Sequence, residues 1–287
     1  MTITATCATI AAAIANAGGG ETINLRGECG VVKVAKAFPD DAPLTIDATG
    51  STLSLEVTNK ACNIVLRGGT LRATGGPTGV AMAGYGALIR GARITFDGVG
   101  VTASRKGIVT DQASAVSILN SRFYATGEDG IIASRTAGLV VQGNTFVDFR
   151  PTSTTFTTVS GVLRGLSSRD CKAQGGAWKD GGHPDAVQMR NAVTDATIAD
   201  NVVFSDIQGF AQMDTKGDLP LQRVRIMRNH VIASGHHITL GVNCADCSIE
   251  RNTVGRYRAD GYKAVIRPGS ARRCGNMAQD EKPDGGC

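Results

Sequence analysis

The decapeptide GGHPDAVQMR, residues 181–190, sets His183, Asp185, Gln188 and Arg190 close together and holds one of only four histidines in the chain. An imidazole, a carboxylate, a carboxamide and a guanidinium at this spacing offer a base, an acid or hard oxygen ligand, and donors for an anion. Further candidates lie downstream: Asp214, Lys216 and Asp218 in DTKGDLPLQ, and His236 and His237 in GHHITL. Trp178, the only tryptophan, precedes KDGGHPD, where its ring can stack on a sugar face or pack against the rest of the protein. Each residue has a plainer reading as well. His183 before Pro184 can shape a loop exit, Gln188 can be an exposed strand residue, and Lys216 and Asp218 can be solvated loop charges.

What positions these residues is a repeat. LVVQGNTF (139–146) recurs as ATIADNVVF (196–204), VRIMRNHVI (224–232) and CSIERNTV (247–254), each a short β-type run, then Asn, then an apolar residue two positions on. Weaker copies give the anchors Gly69, Ala92, Ser121, Asn144, Asn201, Asn229 and Asn252, with looser matches at Gly27 and Ser51. The period of about 23 residues marks a stacked solenoid. There is no LxxLxL pattern, and the Val- and Ile-rich runs broken by Gly, Asn and Asp predict a parallel β-helix with three short strands per coil. The asparagines read as turn residues that hydrogen-bond along the rod and are not site residues. Alternation over 185–190 points Val187 and Met189 inward and Gln188 and Arg190 outward; Ile238 and Leu240 inward would put His237 and Thr239 on the same outer face.

A second polar column aligns after the anchors: Lys106, Asp129, Asp185, Gln208, His236 and Asp260. Two additions to the period border it, a polar excursion near 148–183 and the stretch 214–222, and long loops on a tightly turning solenoid are where binding and catalysis are expected. CATIAAAIANAGGG reads as an N-terminal capping helix over about 5–20, the coils run over about 21–267, and 268–287 reads as a tail without strands, all in one domain.

The formal charge of +5 is spread without basic runs, which argues against nucleic acid, and no apolar run is long enough to span a membrane. Residues 1–17 lack the basic and apolar regions of a signal peptide. Eight cysteines suit disulfides, with Cys7–Cys29 and Cys274–Cys287 suggested by position and Cys62 and Cys171 left as partners or free. Cys244 and Cys247 form a CxxC without the other ligands a zinc site needs. A secreted or periplasmic monomer is expected.

The capping helix with GGGETINLRG, the Asn-bearing coils and HPDAVQ together resemble the secreted pectate-lyase-like β-helix superfamily over roughly residues 5–265. The resemblance implies an all-β, right-handed parallel β-helix with an N-terminal capping α-helix, a fold that hosts lyases, hydrolases, epimerases and non-catalytic fibres, and the mixture of Asp, Gln, Arg, His and Lys on one face suits an acidic polysaccharide. Eliminating across C4–C5 of a uronate requires a neutralised carboxylate, a base near C5 and an acid for the leaving oxygen. Arg190, Gln188 or a bound calcium fits the first role, and Lys216, His183 or His236 the second. Asp185, Asp214 and Asp218 are the oxygen ligands on offer for calcium. The chain is also weakly similar to polygalacturonases, through HPD at 183–185, GHH at 235–237 and YKAVIR at 262–267, which makes glycoside hydrolysis by Asp185 and Asp214 the alternative. QGF at 208–210 lacks the acid pair those enzymes carry. A non-catalytic polysaccharide-binding module is the third reading.

Overall fold

The computed structural model describes residues 1–58, 62–73, 84–102, 104–124, 126–147, 149, 184–207, 209–210, 212–213, 219–241 and 243–287. Within them every strand pair is parallel, and the chain winds as a right-handed parallel β-helix. Three faces result. One is an eleven-stranded sheet from Thr2–Thr6 to Arg272–Cys274. The other two are joined at the strand Thr52–Val57, whose first residues pair with Thr70–Arg72 and whose last pair with Tyr85–Ile89. From that fork one column runs through Gly100–Thr102, Arg122–Tyr124 and Thr145–Val147, and the other through Lys106–Asp111, Ile131–Ser134 and Val187–Arg190.

The sequence makes coils because inward positions are apolar at every strand and stack on themselves from coil to coil. Phe123 and Phe146 lie one coil apart with ring centroids at 4.6 Å and planes within 14°, and both are fully buried. Fully buried Val116, Leu139 and Ile94 do the same under the eleven-stranded sheet. Such burial contributes about 1.5–3 kcal/mol for each large apolar side chain.

One turn is held by side chains. Asn144, Asn201, Asn229, Asn252 and Asn276 form a buried ladder in which each Asn Oδ1 accepts the backbone N–H of the preceding member, at 2.9–3.0 Å. Each Nδ2 from Asn144 to Asn252 donates to the next Oδ1 and to a strand carbonyl, as Asn229 does to Ile198. Ser121 begins the series: its amide donates to Asn144 Oδ1, and its Oγ accepts from Val99 N. The residue before each rung is left-handed, whether Gly143 (φ 69°), Asp200 (φ 58°), Arg228 (φ 53°) or Arg251 (φ 54°). That conformation turns the chain so that the following Asn points inward.

Three expectations change. The anchor in the coil of Ala92 is Val99, because Ala92 opens a strand of the eleven-stranded sheet and Gly100 is what pairs with Thr70 and Arg122. The N-terminal segment starts as a strand, Thr2–Thr6, and the helix is only Ile10–Asn16, burying Ile10 and Ile14 over the end of the core. Lys36 Nζ satisfies the carbonyls of Ala15 and Ala17 at its C-terminus. The C-terminal tail is not strandless: Arg272–Cys274 and Met277–Ala278 continue both sheets, and Asn276 adds a rung. Arg272–Cys274 holds no buried residue and Met277–Ala278 buries only Ala278, so neither shows the apolar run by which strands are recognised.

Cys7–Cys29, Cys274–Cys287 and Cys244–Cys247 are disulfides. Cys62 is buried, and Cys171 and most of the excursion near 148–183 lie outside the described residues. Among the described residues no helix is long and apolar enough to cross a membrane.

Replacing Asn229 by Ala orphans the buried Asn201 amide and the Ile198 carbonyl. The expected loss is about 3 kcal/mol, measured as a lower urea midpoint with an unchanged m-value.

Candidate functional site

On the third face the strands begin at a column of polar residues placed by glycine. Gly107 N donates to Asp129 O at 2.9 Å and Gly130 N to Asp185 O at 2.8 Å, which stacks Lys106, Asp129 and Asp185 on successive coils. A Cβ on Gly107 would lie 2.3 Å from Gly130 O, and one on Gly130 would lie 2.8 Å from Ala186 O, so the column needs glycine at these two positions.

Beyond Asp185 the register differs from expectation. Asp185 pairs with Gly209, and Gly209 with His237, so Gly209 and His237 hold the column positions and His236 stands one residue before them. Ile238 pairs with Ile266, which leaves Asp260 outside it, where its carboxylate accepts from Arg258. At this point the pairing passes from the long sheet to a short one, Gly209–Phe210, His237–Thr239 and Ile266–Arg267.

The carboxyls are buried, Asp129 at 5% exposure and Asp185 at 2%. Asp185 N donates to Asp129 Oδ1 at 3.2 Å, and Gln188 Nε2 donates to Asp185 Oδ2 at 3.2 Å. Burial, with Glu128 adding repulsion, pushes Asp129 up to about 7 against the pull of Lys106, the Asp185 amide and Arg190. Val187 and Met189 are fully buried, while Gln188 and Arg190 stand half-buried on the outer side.

Two coils on is a cluster formed by residues far apart in sequence. Arg267 Nη1 lies 2.7 Å from His236 Nδ1, and Tyr262 stacks on the same imidazole at 5.1 Å and 17°. A guanidinium only donates, so Nδ1 accepts and the ring proton sits on Nε2. Thr239 Oγ1 donates to His236 O at 3.1 Å and fixes the strand entry.

His237 does not face outward. Its backbone is left-handed (φ 56°), which breaks the alternation, and both His237 and Ile238 are fully buried. His237 Nε2 lies 3.0 Å from Ala233 O and 3.1 Å from Gly255 O, so it carries the proton, and Nδ1 is buried without a hydrogen-bond partner among the described residues. Burial depresses this imidazole to about 4 despite those two carbonyls and Asp280. It therefore ties coils together and does not meet substrate.

His183, Trp178, Asp214, Lys216, Asp218 and Gln208 lie outside the described residues. The described residues do not build a calcium cage. Asp185 is the one member of the expected set among them, and its Oδ2 already accepts from Gln188. The group of three ligand atoms that does gather is Glu250, Cys274 and Cys287, whose two sulfurs form one disulfide. Asp129, Arg267 and Tyr262 were not singled out as site residues from sequence. A buried acid in the polar column was the available signal for the first, and YKAVIR for the other two.

No protein-family model matches the chain, and no curated protein sequence matches it. Among solved structures, the Dettilon tailspike protein (gp208) superposes with a TM-score of 0.52 at 12% identity, over 94% of this chain and 56% of that one. The alginate lyase from Paenibacillus sp. str. FPU-7 superposes with a TM-score of 0.50 at 16% identity, over 99% of this chain and 96% of that one. The fold these two structures share with the chain is thus a parallel β-helix. At these identities the likeness is one of fold.

His237 and Asp129 have opposite effects on acid stability. Between about pH 4 and 6.5 the unfolded chain binds a proton at His237 that the folded chain refuses, so this residue makes stability fall as pH falls. Between 3.8 and about 7 the folded chain holds a proton on Asp129 that the unfolded chain has released, so stability rises as pH falls. Urea midpoints from pH 6.5 to 4.5 should fall in Asp129→Asn and rise in His237→Gln, with the unmodified chain between them.

Proposed function

We propose that the chain is a secreted or periplasmic polysaccharide lyase that cleaves an acidic, uronate-containing polysaccharide by β-elimination. The observation that carries this reading is His236 held between Arg267 and Tyr262 on the face that also presents Gln188 and Arg190. Elimination needs cations where the uronate carboxylate gathers charge and a donor for the leaving oxygen. Two arginines flank a stretch of a few coils, and His236 Nε2–H is the donor between them. The fold shared with an alginate lyase agrees with this reading, and the three disulfides among the described residues agree with an oxidising compartment.

In this scheme Arg190 and Arg267 bind carboxylates of different uronates along the chain, and Gln188 orients the one beside Arg190. The C5 proton passes to a base, the C4–C5 double bond forms, and the C4–O bond breaks as the leaving oxygen takes a proton. With Nδ1 occupied by Arg267, His236 serves as donor, and the base role falls to Lys216 or His183. Asp185, buried and bonded to Gln188, positions that carboxamide. Calcium, with Asp185, Asp214 and Asp218 as its ligands, would add charge neutralisation at the same carboxylate.

The test is a panel of uronate polymers incubated with the chain, with calcium and with chelator, following ultraviolet absorbance of unsaturated ends together with new reducing ends. Both should rise together, and Arg267→Ala and Lys216→Ala should each lower kcat/KM by about 100-fold or more. Reducing ends without absorbance would overturn elimination in favour of hydrolysis by Asp185 and Asp214. Saturable binding without either signal would leave a binding module.

A further inference from the structure

The outer side of the eleven-stranded sheet, away from the site above, changes character along its length. Its central outward column runs through small side chains for seven coils, from Thr22 through Thr45, Thr95 and Ser117 to Thr197. In the last three coils the same column reads Arg225, Ser248, Arg272. Two adjoining hollows of about 500 and 440 Å³ open there, and both are lined by Arg225 and Asp246.

Charge alternates across these coils. Arg223 is engaged by Asp195 through two bonds of 2.6 and 2.8 Å, and Arg272 donates to Glu250 at 3.0 Å while its side chain remains 75% exposed. Arg225, exposed between them, has no ion pair or side-chain hydrogen bond among the described residues. The coil in the middle is the acidic one. Its Ser248 is buried at the bottom of the hollow, with Asp246 and Glu250 of the same coil lining it. The turn holding Asp246 is clamped by the Cys244–Cys247 disulfide and forms a wall.

The geometry points to a second glycan-binding groove on this face, for a strand lying along the rod axis with an anionic group on alternate sugars. Arg225 and Arg272 stand two coils apart, about 9.6 Å at one inter-strand spacing per coil, the scale of a disaccharide repeat. Each arginine takes one carboxylate or sulfate as a planar donor. The sugar between them lies over Ser248, where Asp246 and Glu250 accept from hydroxyls and repel a second acid. The groove therefore disfavours polymers charged on every sugar, and it stands whether or not the other face cleaves.

The test uses the full chain carrying Arg267→Ala, to silence the first face, and titrates it with hyaluronan hexasaccharide and with polygalacturonate hexasaccharide. Hyaluronan should bind more tightly, and adding Arg225→Glu should weaken it at least tenfold, with an unchanged urea midpoint because Arg225 holds nothing in the fold. Arg225→Glu alone should leave turnover on the uronate panel unaltered. Hyaluronan affinity indifferent to Arg225→Glu, or no measurable binding, would overturn the groove. Equal, Arg225-dependent binding of the two hexasaccharides would overturn the alternating-charge rule.

Discussion

Everything in this molecule depends on one hydrogen-bonded repeat, the parallel backbone ladder that sets each coil on the last. A parallel ladder tolerates no drift, since a slip of one residue would turn the core outward. The asparagine turn supplies the lock. A left-handed residue aims each Asn inward, and the Asn binds the amide of its neighbour, so the spacing between coils is enforced by side chain and backbone together. Asn144 and Asn201 are 57 residues apart in sequence, and their rung is the same as the others.

The same stacking brings charges together that the sequence keeps apart. Asp129 and Asp185 are 56 residues apart yet share a hydrogen bond, and His236 and Arg267 are 31 apart and in contact. A buried acid and a buried imidazole sit in adjoining parts of one rod, each pushed toward its neutral form by burial. Their opposing proton linkages mean that a flat pH–stability profile can conceal two large contributions.

Much of the fold was legible because a β-helix writes its period into the chain. The four asparagines from Asn144 to Asn252 gave the coils, and Cys7 and Cys29 the clamp at one end. Where a turn lacked Asn, the period alone misplaced it: Ala92 stood in for Val99, since Gly98 and Val99 carry no polar mark. The site was less legible. Lys106, Asp129 and Asp185 align as expected, but the pairing continues from Asp185 to Gly209 and His237, one residue past the expected column, and a left-handed backbone at 237 sends that histidine inward. Arg267 and Tyr262 reach His236 across a whole coil, a contact that alternation within one strand does not encode.

We propose that the outer side of this third face, from Arg190 to Arg267, holds a uronate. A crystal structure of the full chain with a saturated uronate tetrasaccharide tests it most directly. Sugar should lie across the coils of Gln188 and His236, with a carboxylate within hydrogen-bond reach of Arg190 or Arg267. A tetrasaccharide bound only elsewhere, with this face empty and its arginines unmoved, would contradict it.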